Sequence, residues 1–250
     1  MYNPFSLSGK RVLVTGASSG IGRAIAIECS KMGAQIILTA RNAERLDETL
    51  SMMDASQIHQ IIPVDLSSEE GLRLLVERVS EPLDGVVNCA GMTMPKPFRF
   101  ISDTDVEMIM GVNFKAPAIL LQQLLKRKRI NKGASLVFIS SIAGVWVSFT
   151  GESLYSASKG AVNGLMKSMA IELAGKGIRV NCVNPGMIDT QFLKSGSITE
   201  EQLQEDAKRY PLGRYGKPEE VAYAVIYLLS DASIWMTGSN LLIDGGYTLL

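Results

Sequence analysis

The chain has 250 residues, 46% of them apolar and 6% aromatic, enough to bury the core of one ordinary globular domain and too much apolar content for a disordered segment. Twenty-five basic and twenty-five acidic side chains leave a formal net charge of +0, so no global field favours nucleic acid or an anionic membrane. No apolar run of bilayer-spanning length stands out, and Met1 to Ser6 lacks a charged stretch followed by an apolar one, so the chain reads as cytosolic.

The first predicted strand, Val12 to Thr15, runs into Gly16-Ala17-Ser18-Ser19-Gly20-Ile21-Gly22 and then a helical pattern through Ile25, Ala26 and Cys29 to Lys31. Glycines at a strand-to-helix turn let the backbone approach a pyrophosphate, and the first N–H groups of the helix face the anion. The same letters contain Gly16-x-Ser18-x-Gly20, the nucleophile elbow of hydrolases. That reading needs a histidine well downstream, and the lone histidine, His59, lies too early in the chain.

The second strand, Ile36 to Leu38, ends at Thr39-Ala40-Arg41 with no carboxylate to hold a ribose 2′-hydroxyl. Arg41, helped by Arg23, suits a 2′-phosphate instead, so NADP(H) is favoured over NAD(H). His59 reads as a strand-edge residue without chemistry, and Cys29, Cys89 and Cys182 as small buried apolar groups rather than a disulfide framework or zinc knuckle. Asp65, followed by Leu66 after the third strand (Ile61 to Val64), suits the adenine amino group.

Further apolar runs at 85–87, 136–139, 178–183 and 241–243 each leave room for a helix before the next. Strands alternating with helices predict a single α/β domain, a Rossmann-type doubly wound parallel sheet of seven strands with helices on both faces. The stretch 187–218, mixing Phe192, Ile198, Leu203 and Tyr210 with polar residues, is a candidate substrate lid.

Tyr155 and Lys159 are four residues apart, hence on one helical face. A phenol exchanges protons with an alkoxide near neutral pH when a neighbouring positive charge supports its anion, and a unit charge ~4 Å away at an effective dielectric of ~20 supplies ~4 kcal/mol. Ser140 or Ser141, at the end of the fifth strand, is placed to orient a carbonyl oxygen.

These residues together resemble the short-chain dehydrogenase/reductase family over essentially the whole chain: Thr15-Gly16-x-x-x-Gly20-x-Gly22, Asn88-Cys89-Ala90-Gly91, Tyr155-x-x-x-Lys159 and Pro185-Gly186. The resemblance implies Asn113, Ser141, Tyr155 and Lys159 as catalytic residues, Asn113 through a proton-relay water, with Ser140 then structural. It implies cofactor contacts from Gly16, Ser18, Ser19, Gly20, Ile21, Gly22, Arg41, Asp65, Leu66, Asn88, Ala90, Gly91, Tyr155, Lys159, Pro185, Gly186, Ile188 and Thr190, with no metal. Cys89 stands where the family more commonly has asparagine, and only a local packing change is expected.

The expected pocket walls, Met92, Thr93, Met94, Val145, Trp146, Val147, Phe149, Met187 and Phe192, are largely apolar and suit a hydrophobic carbonyl compound. Pro211 to Ala222 reads much like 3-oxoacyl-acyl-carrier-protein reductases, which implies a 3-oxoacyl thioester; another hydrophobic ketone or alcohol is the alternative. The basic run Lys126 to Arg129, with Lys132 and Lys176, is a candidate surface for an acyl carrier protein or else a solvated helix end. A catalytically silent dinucleotide-sensing protein is the alternative of another class. Surplus apolar residues on the helices 103–126 and 153–175, including Leu120, Leu121, Leu124, Leu125, Leu165, Met166 and Met169, predict association, and the resemblance implies a homotetramer.

Overall fold

The computed structural model describes residues 2–190 and 199–250. Seven parallel strands form one sheet: β1 (Arg11–Thr15), β2 (Gln35–Thr39), β3 (Gln60–Ile61), β4 (Leu83–Asn88), β5 (Ile130–Ile139), β6 (Arg179–Pro185) and β7 (Asn240–Ile243). Their spatial order is β3-β2-β1-β4-β5-β6-β7, so the chain leaves β1 in one direction and β4 continues in the other. That reversal opens a crevice above the carboxyl ends of β1 and β4, where this architecture binds ligands. β3 is shorter than its apolar run predicts because Pro63 lacks an N–H, yet the Ile62 and Val64 amides still donate to Leu38 and Ala40 at 2.9 and 3.0 Å.

The helices α1 (Gly20–Lys31), α2 (Ala43–Ser51) and α8 (Pro218–Leu229) bound the core on one face, where Val12, Val14, Leu38 and Val183 meet Ile25, Leu46 and Val225. On the other face α3 (Glu69–Arg78), α5 (Ala116–Lys126) and α6 (Ser153–Leu173) cover Leu13, Val86, Leu136 and Val180. α7 (Glu200–Ala207) opens on a capping box between Thr199 and Gln202.

The stretch read as one helix from Asp103 to Lys126 is α4 (Asp103–Met110), a π-helical turn (Gly111–Lys115) and α5. An 18-residue window within its 24 residues has a mean hydropathy of 1.2, enough by length and composition to cross a membrane, where the sequence reading found no such run. A third of that window is buried, including Asn113 and the side of α5 that packs on the sheet.

The leucines taken as surplus also belong to the core. Leu120, Leu121, Leu124 and Met166 are buried inside the protomer, and only Leu125, Leu165 and Met169 stay partly accessible. His59 is a staple: its Nδ1 accepts the Ile36 N–H at 3.1 Å, and its Nε2 lies 2.8 Å from the Asp54 carbonyl. Cys29 and Cys182 are buried; burial pushes the Cys89 thiol up to about 12, as expected of a neutral packing group.

Candidate active site

The glycine turn is shaped by close backbone approach. Gly16 has φ +70°, and a Cβ there would lie 2.9 Å from the Ala90 backbone, so this position keeps the β1 turn against the exit of β4. A Cβ on Gly22 would meet the Gly16 carbonyl oxygen at 2.2 Å. Ser19 caps α1 without a side-chain hydrogen bond, which leaves the first amides of the helix, through Ile21, available to an anion. Across the turn, the Thr190 methyl lies 3.4 Å from where a Gly20 Cβ would be, so the predicted phosphate and nicotinamide segments adjoin.

Thr15 ties the floor of the crevice together: its hydroxyl oxygen accepts the Cys89 and Ala90 amides, each at 3.0 Å. Beside it Thr15, Leu66, Asn88, Ala90 and Val112 line a small cavity. Asn88 is 5% exposed, yet neither its side-chain nitrogen nor its oxygen has a hydrogen-bond partner among the described residues. A buried amide left in that state carries a desolvation cost, which a ribose hydroxyl would offset.

Asp65 is exposed, and its Oδ1 accepts from the Ser67 amide at 2.9 Å and the Ser67 hydroxyl at 2.7 Å. These bonds hold its carboxyl below the usual range, so at neutral pH it is an acceptor fit for an amino group. Arg41 is exposed at the end of β2 and makes no hydrogen bond or ion pair among the described residues. Arg23 does not join it: its guanidinium donates to the Ser18 carbonyl at 2.7 Å, to Thr49 at 3.1 Å and to Glu48 at 2.8 Å.

The catalytic candidates converge on the face of α6 turned to the sheet. Lys159 is 6% exposed; its Nζ donates to the Ile139 carbonyl at 2.9 Å and lies 5.5 Å from the centre of the Tyr155 ring. A Cβ on Gly91 would lie 3.6 Å from that Nζ and 3.3 Å from Asn113 Oδ1, so Gly91, Asn113 and Lys159 meet at one point. Asn113 Oδ1 accepts the Met92 N–H at 2.8 Å, while Nδ2 donates to the Met92 carbonyl at 2.9 Å and to the Ser158 hydroxyl at 3.0 Å. Its side chain, within the π turn, thereby fastens the loop after β4 to α6.

Ser141 follows β5, and its hydroxyl oxygen accepts the Ala143 N–H at 3.0 Å, which leaves its own proton to be donated. Two residues that the sequence reading passed over support it. Asn184 Nδ2 donates to the Ser141 carbonyl at 2.9 Å, and Asn163 Nδ2 donates to the Ser140 hydroxyl and the Lys159 carbonyl, both at 2.7 Å. Ser140 is accordingly structural, as expected. The available signals were weak: Asn163 is one turn beyond Lys159, and Asn184 precedes Pro185-Gly186.

Pro185 is buried at the end of β6, Ile188 is 7% exposed, and Met187 and Trp146 are exposed at 39% and 42%. Phe149 packs against Tyr247, with ring centroids 6.1 Å apart. Phe192 and Ile198, counted respectively with the pocket wall and the lid, lie outside the described residues.

A family model described as enoyl-(acyl carrier protein) reductase matches residues 16–248. A chloroplastic tropinone reductase homolog of Arabidopsis thaliana is 37% identical over 250 residues, covering 98% of this chain and 77% of that protein. A rhamnolipids biosynthesis 3-oxoacyl-[acyl-carrier-protein] reductase of Pseudomonas aeruginosa is 36% identical over 258 residues, covering 100% of both. The solved Pseudomonas aeruginosa RhlG/NADP active-site complex superposes with a TM-score of 0.91 at 35% identity, covering 99% of this chain and 100% of the other.

Proposed function

The chain belongs to the short-chain dehydrogenase/reductase family, and we propose that within it this protein is an NADP(H)-dependent reductase of a carbonyl group, or in reverse a dehydrogenase of the corresponding alcohol, with a 3-oxoacyl thioester as substrate. The observation that carries the reading is the Lys159 ammonium, buried beside the Tyr155 ring on the helix face along which residues 139–144 run.

In this reading Gly16, Ser18, Ser19, Gly20, Ile21 and Gly22 hold the pyrophosphate, Asp65, Leu66, Asn88, Ala90 and Gly91 the adenosine half, and Pro185, Gly186, Ile188 and Thr190 the nicotinamide half. Bound NADP(H) supplies or accepts the hydride. Ser141 donates its free proton to the carbonyl oxygen, and Tyr155 delivers a proton to the alkoxide that develops there. Lys159 keeps a positive charge beside the phenol as it gives up that proton, with two further N–H groups for a ribose. Asn113 holds the Met92 loop in register with α6, where the water relay of this reading runs from Lys159.

Arg41 and the missing carboxylate at the end of β2 support NADP(H), as does the NADP named with the Pseudomonas structure. The apolar wall and the relative named for 3-oxoacyl reduction support the thioester; the tropinone reductase homolog supports a cyclic ketone as the second substrate class. The basic run before β5 lies at the amino ends of the strands, on the opposite edge of the sheet from Ser141, so a carrier protein docked there does not face this site directly. Exposed Ile171, Trp235, Leu249 and Leu250 support the homotetramer of this reading. The segment 187–218, with α7 inside it, is the lid of this reading.

The test is NADPH and NADH oxidation with acetoacetyl thioesters, tropinone and a panel of ketones. Turnover of the thioester with NADPH is expected. Binding of NADPH without turnover of any ketone favours the dinucleotide sensor instead.

A further inference from the structure

The strip Gly186–Ile188 hangs on hydrogen bonds to other parts of the chain. The Gly186 amide donates to Ile243 at 2.9 Å, the Met187 carbonyl accepts from Gly216 at 3.0 Å, and the Asp189 amide donates to Gly216 at 2.8 Å. The Met187 amide is held differently: it donates to the phenol oxygen of Tyr210, 23 residues away, at 3.2 Å. Tyr210 is 5% exposed and cannot turn freely. Tyr247 packs on its ring at 4.8 Å, Tyr215 meets it edge-on at 5.5 Å, and its Cε1 lies 3.3 Å from where a Gly186 Cβ would be. Tyr247 is itself fixed, accepting from Arg209 at 2.9 Å. Burial pushes the Tyr210 phenol up to about 12, so near neutrality its oxygen is a neutral acceptor.

We infer that Tyr210 is a positioning residue, whose hydroxyl fixes the Met187 peptide and through it the strip Gly186–Thr190 that grips the nicotinamide half of the cofactor. The inference rests on the assignment of that strip to the cofactor in the proposed function. The strip ends at Thr190, against Gly20 of the phosphate turn, so a shift at Met187 is carried along a short run of backbone to the cofactor cleft. Because the Gly216 bonds are backbone to backbone, Tyr210 is the member of this clamp that a substitution can remove without altering the chain path.

The experiment measures NADPH binding by fluorescence titration, amide exchange at Met187 and thermal unfolding without cofactor, for the natural chain, Tyr210→Phe and Tyr223→Phe. Phenylalanine keeps the ring and its packing and deletes the acceptor. Tyr210→Phe is expected to raise the NADPH dissociation constant roughly three- to tenfold, the worth of one ordinary hydrogen bond, and to speed exchange at Met187. Its unfolding midpoint without cofactor is expected to fall by a few degrees as well, because the same bond is already made in the unliganded fold. Tyr223→Phe, the same deletion on an exposed phenol of α8, is expected to change none of the three. An unchanged dissociation constant in Tyr210→Phe, or a lowered midpoint with unchanged binding, overturns the inference. Failure of the natural chain to bind NADPH overturns the proposed function itself.

Discussion

The Lys159 Nζ donates to the Ile139 carbonyl at 2.9 Å while lying 5.5 Å from the Tyr155 ring centre, so one buried cation joins the end of β5 to the phenol one helical turn before it. The carbonyl aims the ammonium and limits where its remaining N–H groups point. The chemistry of the site is therefore held by the sheet rather than by the loops above it.

Replacing Tyr155 with phenylalanine removes the proton donor and leaves Lys159, Asn113 and the glycine turn in place. Dissociation constants for NADPH should stay within about twofold, while kcat on any good substrate falls by about 10²–10⁴, the range for a lost acid–base group. Titration and steady-state assays on the same preparation check both. A variant that turns over at near the natural rate shows that another group delivers the proton.

Arg41 and Arg23 should separate cleanly. Arg41→Ala is expected to lower kcat/KM for NADPH by roughly 10- to 100-fold, as for a lost charge-assisted contact, with little change for NADH. Arg23→Ala deletes bonds to Ser18, Thr49 and Glu48 and should read out mainly as lower stability in urea. Equal losses with both dinucleotides for Arg41→Ala defeat the 2′-phosphate assignment.

Asn163→Ala removes the amide that donates to the Ser140 hydroxyl and the Lys159 carbonyl, leaving between those two buried groups only their own 3.4 Å bond. A loss of about 1–3 kcal/mol in urea unfolding is expected, together with a lower kcat as Ser141 and Lys159 loosen. Unchanged stability means that water replaces the amide.

The Asp105 carboxyl sits at about 2 against an ordinary 3.8, chiefly because Lys96 hydrogen-bonds to it and then because the Ser102 amide does. A depressed carboxyl stabilises the fold above its unfolded value and loses that contribution as pH falls through its folded value. The natural chain should accordingly be more stable than Asp105→Asn at pH 7. The two curves should converge between about pH 4 and pH 2 when unfolding midpoints are followed downward. Parallel curves over that window place the stabilisation elsewhere. The pair ties the 92–101 loop to the start of α4, so the same variant is expected to raise the KM for the ketone.

Much of the site was legible as local pattern. Thr15 to Gly22, the spacing of Tyr155 and Lys159, and Ser141 after an apolar strand each report on a few adjacent residues, and strand, turn and helix follow from such neighbours. The break in the helix at Gly111–Lys115 was not legible, because alanines, leucines and a single asparagine have no turn signal; Asn113 faces inward only once Met92 and Ser158 receive its amide. Leu120, Leu121 and Leu124 were misread as an external face because helical period gives a direction but not the number of layers packed against it.

The amino-acid order by itself determined the alternation of strands and helices, the glycine turn between β1 and α1, and the placing of Tyr155 and Lys159 on one helical face, because these depend on backbone preference and on residues within two helical turns. Only the tertiary structure decided that Arg23 is occupied by Glu48 and Thr49, that Asn163 and Asn184 brace Ser141 and Lys159, and that Tyr210 holds Met187. Those partners stand far apart along the chain or share no regular spacing, and a hydrogen bond between them exists only after packing has excluded water and fixed both rotamers.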